Sequence, residues 1–261
     1  MSATVFPDQA ATLRRLFAHR QARVLPIFAG QARDAAGAVW LAKLATGFAR
    51  QGERTLVIDA ARVHVAAALG LRARYDLQQV LDGDCALGEA LLDAAPGLHV
   101  LPATRAFDLA APARHPARRQ ALARALPNLA AAADSDLVLV LFAAEHAPLL
   151  PTGCECVLPV IGSPSEAAPT ASDSGRSATF ALRDARRMAR HIAGFRLLFL
   201  GMDREAAATL AARLGASAGP LAARLLAGGH ALVARDLVHV VRAAAGWRCA
   251  PLAAVATEFT D

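Results

Sequence analysis

Short runs of consecutive apolar residues alternate with helical patterns along most of this 261-residue chain. The first unit is predicted to contain, in chain order, a strand, a glycine-bearing loop, a helix and a strand: Val24–Ala29, Gly30–Gly37, Ala38–Arg50 and Thr55–Asp59. A strand that is apolar at every position is buried on both faces, as in a parallel sheet covered by helices. Parallel neighbours also need a long crossover connection, which the helix supplies.

The same alternation continues toward the carboxyl terminus. Further strands are predicted at Leu98–Pro102, Asp136–Phe142, Cys156–Ile161 and Arg196–Leu200. Further helices are predicted at Asp76–Leu81, Leu87–Leu92, Arg118–Ala133, Leu182–Ile192 and Arg204–Leu214. We therefore predict one α/β domain with a doubly wound, mostly parallel sheet. The segment Gly162–Ser177 is rich in Ser, Pro, Ala and Gly, so it is predicted to be a loop within this domain.

Composition excludes several classes of protein. A chain that is 55% hydrophobic and 19% charged is globular. No apolar run reaches the roughly 18 residues of a membrane span, and the amino terminus lacks the basic-then-apolar order of a signal peptide. The net charge of +6 comes from scattered arginines, which favours a solvated surface over a specific nucleic-acid site. We expect a cytoplasmic protein.

Cysteine and histidine spacing gives no sign of a metal site. The cysteines lack zinc-ligand spacing and are predicted to be free thiols: Cys85, Cys154, Cys156 and Cys249. Three histidines lie near predicted strand ends, where ligand sites form, but isolated histidines are more often structural: His64, His99 and His146. We predict no bound metal.

The loop Gly30–Gly37 occupies the place where a phosphate-binding loop would lie in this type of fold. Such a loop needs glycines whose backbone N–H groups converge on phosphate, a lysine for the β- and γ-phosphates, and a Ser or Thr for magnesium. The only lysine in the chain is Lys43, which is followed by Leu44 and lies in the middle of the predicted helix. Arg33 is the only cation within the loop, and a guanidinium replaces a compact ammonium poorly.

Acidic residues are equally scarce around the predicted site. Asp59 ends its strand, but no Asp or Glu occurs from Ala60 to Tyr75, and the strand Asp136–Phe142 ends in two apolar residues. Metal-assisted phosphoryl transfer needs lysine, hydroxyl and carboxylate together. We therefore predict no catalytic residue and no bound ATP or magnesium. A degenerate nucleotide site would consist of Gly30, Arg33, Gly37 and Asp59.

The amino-terminal residues 7–19 are predicted to form a short amphipathic helix. Pro7 and Asp8 are typical of a helix start. Apolar side chains then recur at helical spacing on one face: Ala10, Leu13, Leu16 and Phe17.

Three stretches resemble the FlhG family, also called FleN, whose members are MinD-like ATPases that control the number and placement of flagella. Asp8–Arg14 (DQAATLR) matches the family's D-Q-A-x-x-L-R motif at every fixed position. Arg50–Ala60 is similar to the stretch that ends at the family's strand aspartate. Leu69–Ala103 resembles a later segment in length, order and apolar pattern. The resemblance covers residues 8 to about 142 and implies a MinD-like P-loop NTPase fold.

In that family the amino-terminal helix binds FlhF, a flagellar GTPase, and stimulates its GTP hydrolysis. The resemblance implies a partner-binding helix at residues 1–20 and an α/β domain at residues 21–261. The implied partner-binding residues are Asp8, Gln9, Ala10, Leu13, Arg14, Leu16 and Phe17. Gln9 would orient an attacking water, as activators of other GTPases do.

The departures from the family lie in the nucleotide site. The family's lysine-bearing loop corresponds to residues 31–38, which contain no lysine, and its strand-end aspartate corresponds to Leu141. The resemblance therefore implies a regulator of flagellar number or placement that is not an ATPase. It would act in the cytoplasm, at the cell pole or peripherally on the inner membrane, and its oligomeric state stays open.

Two other functions fit the same residues. The first is a divergent ATPase that uses Arg33 and Asp59. The second is a scaffold for flagellar basal-body or transcription proteins.

The stretch Ala234–Cys249 has an amphipathic pattern, and we predict a core helix there in preference to a membrane anchor.

Overall fold

A computed structural model describes residues 22–30, 35–111, 115–150, 154–161, 183, 185–188, 190–192, 194–200, 204–217, 232–233 and 250–251. Five predicted features lie outside these residues: the amino-terminal helix, Arg33, the loop Gly162–Ser177, the helix at Ala234–Cys249 and the free thiol of Cys249.

The described strands form one nine-stranded sheet. In chain order they are β1 Arg23–Phe28, β2 Thr55–Asp59, β3 Leu92–Ala95, β4 Leu98–Pro102, β5 Leu137–Phe142, β6 Glu155–Ile161, β7 Gly194–Leu200, β8 Leu232–Val233 and β9 Ala250–Pro251. Their order across the sheet is β3-β4-β2-β5-β1-β6-β7-β8, and β9 pairs with the start of β1. Only β3 and β9 run antiparallel to their partners. The predicted doubly wound, mostly parallel sheet is therefore confirmed.

The described helices follow the predicted alternation. They are α1 Ala35–Arg50, α2 Val65–Ala68, α3 Leu77–Asp82, α4 Leu87–Ala90, α5 Thr104–Ala110, α6 Pro116–Ala132 and α7 Arg204–Ser217, with a 3₁₀ turn at Ala144–Leu149. Residues 183 and 185–188, within the predicted helix Leu182–Ile192, are also helical. The predicted helix Leu87–Leu92 is wrong at its end, because the chain leaves α4 and enters β3. Helices α2 and α5 were not predicted, since each is too short to display a helical period.

Alternating side chains of the central strands build a separate core on each face of the sheet. On one face, Leu25, Ile27 and Leu139 pack with the inner side of α1. On the other, Val24, Phe28 and Val140 pack with α5, α6 and α7. Both faces are needed to bury these strands, since neither row of side chains contacts water.

Helix α1 covers the first of these faces. Its buried side chains recur at helical spacing: Leu41, Leu44, Ala45 and Phe48. It ends near Gly52, whose φ of 86° is in the left-handed region that favours glycine. Glu53 follows and pairs with Arg23 at 2.6 Å. This ion pair fixes the end of α1 beside the start of β1.

Replacing the largest buried side chain of α1 tests this packing. Phe48 is 2% exposed, so Phe48→Ala should lower the free energy of unfolding by about 3–5 kcal/mol. Val39 lies on the same helix but is 43% exposed, so Val39→Ala should change it by less than about 0.5 kcal/mol. Urea denaturation followed by circular dichroism measures both. Equal effects of the two substitutions would contradict the assigned helix orientation.

Candidate functional site

The candidate site lies where β1, β2 and β5 end. Parallel α/β sheets bind ligands outside the carboxyl ends of their strands, at the point where the strand order reverses. That point is β1, because β2 and β6 lie on opposite sides of it. The first residues after the strands are held in place by neighbouring carbonyls. Ala29 N–H donates to Phe142 O and Ala60 N–H donates to Leu141 O, both at 2.9 Å.

Gly30 opens the loop that follows β1. Its φ is 21°, and a Cβ there would lie 2.4 Å from Cε1 of Phe28. The Phe28 ring is buried and meets Phe142 edge-on, with ring centroids 5.8 Å apart. Glycine is therefore required at this position by an aromatic ring that packs against the loop backbone.

Gly37 is not part of that loop. Helix α1 begins at Ala35, three residues earlier than predicted, so Gly37 lies buried in its first turn. Ala35 and Ala36 are strong helix formers, which explains the early start. The connection between β1 and α1 is correspondingly shorter than the predicted loop Gly30–Gly37.

Asp59, the predicted acidic residue of the site, is bound by the protein's own backbone. Its Oδ1 accepts hydrogen bonds from Ala61 N at 3.3 Å and Val63 N at 3.1 Å. Its Oδ2 accepts from Val65 N at 3.2 Å, at the first residue of α2. The residue is only 6% exposed. Three N–H donors thus occupy most of the lone pairs that a magnesium ion would need.

These bonds shape the loop between β2 and α2. Two non-glycine residues of this loop, Arg62 and His64, have positive φ angles of 56° and 63°. Such angles are unfavourable for residues with a Cβ and persist only where other contacts impose them. The Asp59 carboxylate supplies those contacts on both sides of His64. Its role in this structure is to hold the loop.

The buried His146 joins Asp108 and Arg62 at the same end of the sheet, in a set of contacts that was not predicted. His146 is 1% exposed, and its Nδ1 accepts a hydrogen bond from Ala143 N at 3.3 Å. Its Nε2 lies 2.9 Å from Oδ1 of Asp108, whose Oδ2 accepts from Arg62 at 2.8 Å. An Nδ1 that accepts a hydrogen bond carries no proton, so the proton is on Nε2 and points at Asp108. These contacts join the ends of β2 and β5 to α5.

Asp76 is engaged in a similar way. Its Oδ1 accepts from Gln78 N at 2.9 Å, which caps α3. The same carboxylate accepts from Arg105 N at 3.2 Å and Ala106 N at 3.3 Å, in the first turn of α5. Among the residues that the structure describes, no group of three or more His, Cys, Asp or Glu side chains is arranged to hold a metal ion.

Lys43 lies away from these residues. It is the ninth residue of α1, about 12 Å along the axis from the start of the helix. Its side chain is exposed, and Nζ lies 4.9 Å from the centroid of the Trp40 ring. Leu141, at the end of β5, is 1% exposed and belongs to the apolar core on the α1 side.

None of the described cysteines forms a disulfide bond: Cys85, Cys154 and Cys156. Burial raises the pKa of Cys156 well above its ordinary value, and nearby Cys154 raises it further. In these surroundings the thiol form of Cys156 is favoured over the thiolate.

No protein-family model and no curated protein sequence matches this chain. Solved structures do match its fold. Cobyrinic acid a,c-diamide synthase from Mycobacterium smegmatis gives a TM-score of 0.53 at 17% identity, covering 86% of this chain and 94% of the synthase. The MinD cell division protein from Aquifex aeolicus gives 0.51 at 18% identity, covering 76% of this chain and 78% of MinD. The chain has the fold of the MinD-like P-loop NTPases.

The synthase also matches in a structure with a bound ATP analog and magnesium, with a TM-score of 0.51 at 18% identity. That match covers 84% of this chain and 91% of the synthase. At these identities the likeness concerns the MinD-like fold alone.

None of the described helices is long and apolar enough to cross a membrane.

Removing the Asp59 carboxylate tests its structural role. Asp59→Ala leaves three buried N–H groups without their acceptor, so it should lower the free energy of unfolding by about 2–5 kcal/mol. Asp84 is exposed, and Asp84→Ala should change it by less than about 0.5 kcal/mol. Urea denaturation measures both. An Asp59→Ala protein as stable as the parent would mean that the carboxylate is dispensable for the loop.

Proposed function

We propose that this protein is an FlhG-like regulator of flagellar number or placement that has no working ATP site. It would bind an FlhF-like GTPase through its amino-terminal helix and stimulate GTP hydrolysis. The observation that carries the proposal is the complete D-Q-A-x-x-L-R motif at Asp8–Arg14 in a chain with a MinD-like fold whose only lysine is Lys43.

The residues at the candidate site support the absence of ATPase activity. A phosphate-binding loop needs its lysine where the loop enters the helix, whereas Lys43 is more than two turns further along α1. The Asp59 carboxylate is occupied by backbone donors, and β5 ends in the buried Leu141 and Phe142. Among the residues that the structure describes at this site, none supplies the lysine of a phosphate-binding loop, and the Asp59 carboxylate already accepts three backbone hydrogen bonds.

The attachment point of the amino-terminal segment supports an independent role for it. The segment joins the domain at Arg23, where β1 begins. The candidate nucleotide site lies where β1 ends, at the opposite edge of the sheet. A partner held by residues 1–20 therefore need not contact the Gly30 loop or Asp59.

The motif supplies the chemistry that a GTPase activator needs. A glutamine orients the attacking water in several GTPases, and a residue supplied by a second protein can complete such a site. We assign this role to Gln9. Leu13, Leu16 and Phe17 would anchor the helix in an apolar groove of the GTPase, and Arg14 would pair with acidic groups beside it.

GTP hydrolysis by an FlhF-like GTPase tests this role. The full chain should increase the hydrolysis rate at least tenfold, and deletion of residues 1–20 should abolish the increase. Gln9→Ala should also abolish it, because the side chain that orients water is lost. Thr12→Ala changes the same segment at a variable position of the motif and should retain the increase. If deletion of residues 1–20 leaves the stimulation unchanged, the proposal is wrong.

The second candidate is a divergent ATPase, favoured by the shared fold with a synthase solved with an ATP analog and magnesium. Calorimetry separates the two functions. Titration of the full chain with ATP and magnesium should give no binding heat at concentrations up to about 1 mM, which corresponds to less than about 4 kcal/mol of binding free energy. Saturable binding that is lost in Arg33→Ala would establish the ATPase instead.

A further inference from the structure

The outer face of α1 carries an open groove of about 530 Å³. One wall is a helical stripe of this face: Val39, Ala42, Lys43, Thr46, Gly47 and Arg50. Ala68 and Leu69, at the end of α2, form the opposite wall. The groove lining contains none of the described residues of the candidate nucleotide site, which lie at the strand ends and in the first turn of α1.

Small side chains give the groove its depth. Gly47 has no side chain, although it lies inside a helix where Ala would be about 1 kcal/mol more favourable. The hydroxyl of Thr46 donates to Ala42 O at 2.8 Å, so its hydrogen bond is made within α1. Val39 is 43% exposed and is the one large hydrophobic side chain to be exposed among the described residues. The floor and walls are therefore largely apolar and accessible.

The shape fits a helix. The stripe from Val39 to Arg50 spans about 17 Å along α1, since each residue rises 1.5 Å. A helix of about three turns laid along it would place apolar side chains at i, i+3, i+4 and i+7 into the groove. An open groove of this length suits a peptide better than a small ligand, which an enclosed pocket would bury on most sides.

The positive charges beside the groove favour an acidic helix over a basic one. Lys43 and Arg50 lie on the groove and are exposed, and no carboxylate of the lining faces them. In the part of the chain that the structure describes, neither residue makes an ion pair with a carboxylate. The Lys43 ammonium lies 4.9 Å from the centroid of the Trp40 ring. A bound helix with Asp or Glu beside its apolar stripe would pair with both cations.

The same charges disfavour occupants from this chain. The amino-terminal segment carries Arg14, Arg15 and Arg20 against the single Asp8, so it would bring like charge to the groove. A second copy packed symmetrically would set the Lys43 and Arg50 side chains of both copies in one interface, which is unfavourable without intervening carboxylates.

We propose that the groove between α1 and Leu69 binds an acidic amphipathic helix of another protein. This docking surface is independent of the FlhF-like GTPase and of the amino-terminal helix. Binding buries the apolar stripe and pairs the acidic flank of the helix with Lys43 and Arg50.

Two designed peptides test the proposal, each with the same leucine stripe at i, i+3, i+4 and i+7. One carries glutamates beside the stripe and the other carries lysines. Fluorescence anisotropy with the full chain should give at least tenfold tighter binding of the glutamate peptide, and this preference should weaken as salt screens the charges. Equal affinities, or no saturable binding of the glutamate peptide, would overturn the proposal.

Substitutions in the groove test whether the glutamate peptide binds there. Gly47→Leu fills the groove and favours helix, so it should fold and should weaken binding at least tenfold. Ala121→Leu places a leucine on the exposed face of α6 and should have no effect. Combined Lys43→Glu and Arg50→Glu should reverse the peptide preference, whereas Arg124→Glu on α6 should not. Unchanged affinity in Gly47→Leu would overturn the proposal.

Two further results would assign the groove to this chain itself. Tenfold tighter peptide binding after deletion of residues 1–20 would mean that the amino-terminal segment occupies the groove. A dimer that sedimentation detects in the parent but not in Gly47→Leu would mean that a second copy does. Either result would overturn the proposal, and neither bears on GTPase stimulation by Gln9.

Discussion

Burial of both faces of β1, β2 and β5 governs this structure. Polar side chains are excluded from the middle of these strands, so the ones that remain lie at strand ends. Thr55 begins β2 and Asp59 ends it, and both are buried. At the carboxyl edge Asp59 must find donors, because a buried carboxylate without them is strongly unfavourable. Its donors are the N–H groups of its own loop, and the conformation of that loop follows from this need.

Other carboxylates near the carboxyl ends of the strands are also bound by groups of the protein. Asp76 caps two helices, and Asp108 joins His146 to Arg62. In a MinD-like NTPase this edge is where a nucleotide and its metal ion would be expected. Among the described residues here, the carboxylates of Asp59, Asp76 and Asp108 are engaged by groups of the protein itself. Phe28 and Phe142 pack where β1 and β5 end. These contacts are the ones that support the proposed loss of ATPase activity.

Sequence patterns predicted the fold well because its central strands are apolar at nearly every position and because α1 buries residues at helical spacing. They did not predict α5 or β3, which are short and acquire their conformation from tertiary contacts. Asp76, 30 residues away, caps the start of α5, and β3 exists only by pairing with β4. Asp59 was identified from its place at a strand end. Its partners were not identified, because they are backbone N–H groups, which nearly every residue has whatever its side chain. The Asp108–His146 contact was missed for the related reason that 38 residues separate its members.

The pairing of β9 with β1 has a practical consequence. Arg23 is opposite Pro251, so chain entering the domain and chain leaving it pass within one strand spacing of each other, about 5 Å. Residues far apart in the sequence are thereby neighbours at the start of β1. A pair of spectroscopic labels at positions 23 and 251 would therefore report whether β9 has joined the sheet.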